Sequence, residues 1–169
     1  MLSLFVGSLF VTTPADALCS GETVQREFAE ADLVIRARLA SQISAWDDYP
    51  SRSFQRKWGP PSSAASLYGW RVLDVFKGRP GRRVNLFQYH DSGEFPVEID
   101  KDYLLFLLYI PPRRDRPTAA RGATYVRYAC GQSKRWDEVR PEVLVQVRRL
   151  AAESRERRQP RTPANPHRH

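Results

Sequence analysis

The ten residues DLVIRARLAS, Asp32–Ser41, decide the fold class. Leu33, Ile35, Ala37 and Leu39 fall on one side of an extended chain, and Arg36 and Arg38 on the other. A period of two belongs to a strand with one buried face, because successive side chains point to opposite sides of the pleat. Toward the C-terminus, LYGWRVLDVFKG (67–78) has the same character and stops at Gly78. A basic turn, RPGRR, leads into a third strand, RVNLFQYH (83–90), and DSGEFPVEIDKD reads as turns. YLLFLLYI, Tyr103 to Ile110, is a continuous apolar run, which fits a strand buried on both faces. After the polar loop PPRRDRPTAARG, a fifth strand, ATYVRYAC, ends at Cys130.

Helices flank these strands. SGETVQREFAEA (20–31) offers Ser20 as N-cap and Glu22 in the first turn. Val24, Phe28 and Ala31 share one face at i, i+4 and i+7, and Glu22 can pair with Arg26 one turn on. From Pro141, suited to a first helical position, Val143, Leu144, Val147, Leu150 and Ala151 form an apolar stripe. Five strands with irregular loops, a short N-terminal helix and a C-terminal helix predict a mainly β chain built on a five-stranded OB-fold-type barrel.

The chain has 169 residues, 13 prolines and 9 glycines, which suits one loop-rich, strand-rich domain. Its net charge of +8 comes mostly from arginine. An anionic partner would explain that excess, and so would a GC-rich genome. From Ser154 to His169, five Arg stand against one Glu with three prolines and almost nothing apolar, so residues 154–169 are expected to be a disordered basic tail.

At the other end, MLSLFVGSLFVTTPADA has an apolar run from Leu2 to Val11, too short to cross a bilayer, closed by Ala15-x-Ala17. That pattern predicts a signal peptide over 1–17, with a buried N-terminal strand as the other reading. The domain then spans 18–153 and is exported, periplasmic or extracellular, with no transmembrane span. Two cysteines in an oxidising compartment most simply form one disulfide, Cys19 to Cys130. They lack the His or Asp neighbours that would complete a metal shell, so no intrinsic metal is expected.

The pieces ADLVIRARLAS, WRVLDVFKG, KDYLLFL and YACG followed by WDEV resemble the N-terminal domain of the tissue inhibitors of metalloproteinases, within the netrin-like group. The resemblance spans roughly 18–150 and implies an OB-type barrel flanked by helices. It also implies inhibition of a zinc metalloprotease by the mature N-terminus, whose first cysteine chelates the protease's zinc through its α-amino group and carbonyl. Counting back from ADLVIRA puts Cys19 on the second cysteine of the family's C-x-C pair and Cys130 on its strand-ending partner. Ala17 stands at the chelating position and Leu18 at the position that enters the specificity pocket, while Ala29 replaces a further cysteine. The inhibitory segment would be Leu18, Cys19 and Ser20. Cleavage after Ala17 leaves this terminus one residue short, about 3.3–3.6 Å of chain, so the family's mode needs a different cut or a shifted docking.

The stretch Gln42–Ser66, QISAWDDYPSRSFQRKWGPPSSAAS, reads as one long loop. Its Trp46, Tyr49, Phe54 and Trp58 form a candidate partner-contact surface, since aromatics anchor interfaces; the alternative is that they fold back over the barrel. His90-Asp91-Ser92 has the residue types of a hydrolase triad, but triad members converge from separate parts of a fold. No Gly-rich phosphate loop, HExxH or CxxC occurs, so neither a catalytic site nor a cofactor is expected. Arg36, Arg38, Arg71, Lys77, Arg79, Arg82 and Arg83 would suit a nucleic-acid groove, a reading that an export signal and a disulfide oppose. The expectation is a non-enzymatic, TIMP-like protein-binding domain that inhibits a zinc metalloprotease. The alternative is a cell-envelope adaptor using the 42–66 loop.

Overall fold

The computed structural model describes residues 22–45, 65–90, 95–111, 120–126 and 131–158. In chain order these form α1 (Val24–Glu30), β1 (Leu33–Ala45), β2 (Ala65–Lys77), β3 (Arg83–Tyr89), β4 (Asp102–Tyr109), β5 (Thr124–Val126) and β6 (Lys134–Arg135). A 3-10 turn (Trp136–Glu138) and α2 (Pro141–Arg158) follow. The strands pair in the order β1-β2-β3-β5-β4, and β4 returns to β1, closing a five-stranded mixed barrel. β3 and β5 run parallel, while β6 lies outside the barrel on β4. This is the OB-type architecture expected from the strand count.

The period-two pattern of Asp32–Ser41 does what it implies. Leu33, Ile35, Ala37 and Leu39 line the barrel interior with Tyr68, Trp70, Leu86, Tyr103, Leu105 and Leu107. The strand is not half-buried throughout, however. Val34, on its opposite face, is also fully buried, because α1 and α2 cover that side. The same explains YLLFLLYI: Tyr103, Leu105 and Leu107 point into the barrel, while Leu104 and Phe106 point out under the helices. A continuous apolar run is the sequence of a strand with two dry faces. Trp70 is fully buried against the edge of Tyr103, with ring centroids 5.2 Å apart.

Several boundaries differ from expectation for local reasons. Thr23, not Ser20, caps α1: its hydroxyl accepts from the Arg26 backbone N–H at 3.2 Å, and Glu22 precedes the cap rather than sitting in the first turn. Glu22 still pairs with Arg26 at 3.3 Å. The long loop is shorter than 42–66, because β1 runs on through Gln42–Ala45 and β2 starts at Ala65. Those stretches hold no breaker; the prolines that argue for a loop lie at 50, 60 and 61.

Ser154–Arg158, expected to belong to the tail, are helical, since α2 continues to Arg158. Once its first turns are packed through Val143, Val147 and Ala151, each further residue costs little to add. Glu153 supports the extension by pairing with Arg149 at 3.7 Å and Arg157 at 3.9 Å. Pro160 lies two residues beyond its end. Residues 159–169 lie outside the described residues, as does the proposed signal segment, 1–17.

Gly78 ends β2 in the left-handed region, with φ of 87°. A Cβ there would meet the Leu33 side chain and would lie 2.6 Å from the Asp32 carbonyl oxygen, so glycine is needed for both conformation and space.

Candidate functional site

Helix α1 is short and could not hold its position alone. Three contacts fix it. Its apolar face, Val24, Phe28 and Ala31, packs on Val143, Val147 and the outer face of the barrel. At its C-terminal end, Lys77 of β2 donates from Nζ to the Phe28 and Ala29 carbonyls at 2.6 and 2.9 Å, where free carbonyls favour a cation. At its entry, Gln132 clamps it. The Gln132 backbone N–H donates to Glu27 Oε2 at 2.6 Å, and its side-chain Nε2 donates to the Glu22 carbonyl at 2.9 Å.

Glu27 is the unusual member of this clamp. It is 4 % exposed, on the face that carries Val24 and Phe28. Burial pushes its carboxyl pKa up to about 7; the Gln132 N–H opposes that shift, and the neighbouring Glu22 and Glu30 carboxylates add to it. A carboxylate that titrates near neutrality thus sits where the chain enters its first helix. The segment that clamps it is anchored to the barrel by the next residue, Ser133, whose buried hydroxyl accepts from the Phe106 backbone N–H at 2.9 Å.

On the outer face of β1 the two arginines are neutralised. Asp102, in register with Arg38, accepts from Arg38 Nε and Arg36 Nη2, each at 2.6 Å. The Arg38 hydrogen bond, then that of Arg36, holds the Asp102 carboxyl below the usual carboxylate range despite its partial burial. Arg36 also reaches Asp74 at 3.8 Å and stacks over Trp136 at 4.3 Å. An open cleft of about 370 Å³ has Phe95, Tyr103, Glu98 and Arg135 among its walls. Arg135 is held by Asp137 at 2.6 Å and Glu98 at 2.9 Å, which raise its pKa above the usual arginine range.

The sequence-derived candidates Leu18, Cys19, Ser20 and Cys130 lie outside the described residues, as do Trp46, Tyr49, Phe54 and Trp58. What is described is the frame around them. Glu22 stands three positions after Cys19 and Gln132 two after Cys130, and these two residues are bonded to each other. Of His90-Asp91-Ser92, only His90 is described. Its Nε2 lies 2.8 Å from the Ser66 hydroxyl, which also accepts from Gln42 Nε2 at 3.4 Å. Ser66 is fully buried, so the group ties strands together and offers no accessible nucleophile. Among the described residues no set of three His, Cys, Asp or Glu is placed to hold a metal ion, and no helix is long and apolar enough to cross a membrane.

Sequence reasoning missed Glu27, Lys77 as a helix cap, and Gln132. Only Glu27 left a signal: it falls at i+3 from Val24, inside the apolar stripe. Compared with known families and with curated proteins, the chain matches no family model and no curated sequence.

Proposed function

We propose that this chain is an exported protein-binding domain that works through the segment preceding α1, and that it inhibits a zinc metalloprotease by that segment. The observation that carries the reading is the Gln132 clamp. It holds the entry of α1 at Glu22 and Glu27, against a segment fixed to the barrel by Ser133. An inhibitor that presents its terminus to a metal needs that terminus preorganised, because ordering it on binding would consume affinity. The resemblance of ADLVIRARLAS and WRVLDVFKG to the tissue inhibitors supports the same reading.

A Cys19–Cys130 disulfide is part of the proposal. The bonded residues Glu22 and Gln132 bring the chain to within a few residues of both cysteines, as a bridge with Cα atoms about 4.4–6.8 Å apart requires. Thiol titration of the denatured, unreduced protein is expected to find no free thiol; two free thiols would remove the staple from the account.

The direct test is inhibition. The mature N-terminus is determined by sequencing, and the protein is assayed against a panel of zinc endopeptidases. Inhibition that disappears when two alanines are added ahead of the mature N-terminus, which carries the α-amino group past the position held by Ala17, supports the reading. No inhibition by a protein whose terminus is free and folded overturns it.

A second reading, an adaptor that uses the loop between β1 and β2, is favoured by one observation. The far end of β1 carries Ile43, which is 60 % exposed, on the arm leading into that loop. Replacing Trp46 and Trp58 by alanine with no loss of protease inhibition, but with loss of partner capture, would favour it.

A further inference from the structure

The outer face of β1, β2 and β3 carries a row of arginines that the fold does not explain. Arg38 is in register with Arg71, and Arg71 with Arg83, so the three lie side by side across adjacent strands. Their Cβ atoms are about 5 Å apart from strand to strand, and the row spans about 10 Å. All three point away from the core. Their neighbours Leu39, Trp70 and Val84 are the buried partners in the same register, and successive residues alternate sides.

The two ends of the row are treated differently. Arg38 is neutralised by Asp102 at 2.6 Å. Arg71 and Arg83 are both exposed, and among the described residues neither meets a carboxylate. Like charges directly opposite each other destabilise a strand pair. The adjacent turn adds Arg79 and Arg82, also exposed, instead of relieving the charge. A purely structural surface would place a carboxylate across from Arg71, as this protein does across from Arg38.

We infer that Arg71 and Arg83 form an anion-binding site for an acidic peptide segment of a protein partner, with Arg38 as its neutralised edge. Two guanidinium forks at strand spacing suit the carboxylates of an extended acidic chain. Two further observations favour a peptide. Leu73, two residues from Arg71 and 38 % exposed, offers an aliphatic contact beside the charges. The residues around Arg71 and Arg83 on these strands include Leu73 and Asn85 and no exposed aromatic ring of the kind on which bases stack. The inference rests on the protein-binding reading above, but uses a different face from the segment preceding α1.

The test measures binding of fluorescein-labelled hexaglutamate by anisotropy at low ionic strength. The R71E/R83E variant is compared with R148E/R155E, which makes the same charge change at exposed positions of α2. Binding that weakens by about tenfold or more in R71E/R83E and less than about twofold in R148E/R155E is the expected result. Absence of hexaglutamate binding, or equal loss in both variants, overturns the inference. Labelled oligothymidine, or vesicles of phosphatidylglycerol and phosphatidylcholine, bound in place of hexaglutamate and released by R71E/R83E would also overturn it and assign the site to that ligand.

A second variant guards against misfolding. R83E places a carboxylate across from Arg71, so its melting temperature should rise while hexaglutamate binding falls; a lower melting temperature contradicts the claim that the row is uncompensated. Hexaglutamate binding without protease inhibition would leave this site standing and remove the N-terminal reading. The opposite result would do the reverse.

Discussion

β1 has two halves that share a strand and little else. Leu33–Arg38 pairs with β2 on one side and β4 on the other, with the barrel interior on one face and α1 and α2 on the other. Beyond Leu39 the strand continues along β2 alone, and Ala40–Ile43 are exposed. Extended backbone alone fixes neither burial nor stability. The number of covered faces does, and that number follows from which elements the rest of the chain folds back onto the strand.

Substitutions along β1 and its neighbours test this difference. The largest loss is expected under the helices: Phe106→Ala should cost about 3–5 kcal/mol, because it removes a ring shared by the sheet and both helices. Urea unfolding measures it, and a cost near that of a surface site would mean the helices do not cover this half. Next, Gly78→Ala should cost about 1–3 kcal/mol from left-handed backbone strain, with the clash at Leu33 and Asp32 added. Asp102→Ala takes the carboxylate from Arg38 and leaves Arg36 with only its longer pair to Asp74, and is expected to cost about 1–3 kcal/mol in the same assay. At the far end, Ile43→Ala should change stability by less than about 0.5 kcal/mol. If Ile43→Ala and Phe106→Ala cost the same, the two halves of the strand are not distinct.

Glu27 supplies a pH-dependent test. Its folded pKa, near 7, exceeds its ordinary 4.5, so the folded state holds the proton more tightly than the unfolded one. The resulting stabilisation is full below about pH 4.5 and is lost as pH rises through about 7. The shift is expected to change stability on the order of 1 kcal/mol after solvent screening. Melting temperatures at pH 5 and pH 8 should therefore differ more in the wild type than in Glu27→Gln, which removes the titration. Asp102 acts in the opposite sense: its pKa is lowered, so its contribution is present above its ordinary value of 3.8 and is lost as pH falls through the folded pKa. Equal pH dependence in the wild type and Glu27→Gln would remove Glu27 from the clamp's energetics.

The barrel was legible because its strands carry period-two or wholly apolar patterns, and those patterns depend on local geometry. DLVIRARLAS and YLLFLLYI announce one or two dry faces without reference to distant residues. The second dry face of β1 was harder to see, since Val34 alone signals it among alternating neighbours. β6 was missed because two residues, Lys134 and Arg135, are too few to show a period.

The Gln132 clamp was illegible for a different reason. It joins residues more than a hundred positions apart through one backbone N–H and one side-chain amide, and sequence spacing does not encode such a meeting. The arginine row lay between these cases. Arg71 and Arg83 were visible as charges, but their alignment appears only once β2 and β3 are in register.

The central claim is that the segment ahead of α1 is the working end of the molecule. Its most direct test is inhibition of a zinc endopeptidase by the mature protein, measured with its native N-terminus and with two alanines added ahead of it. The account predicts inhibition by the first and loss of inhibition by the second, with equal melting temperatures. Equal inhibition by both, or none by either, would contradict it.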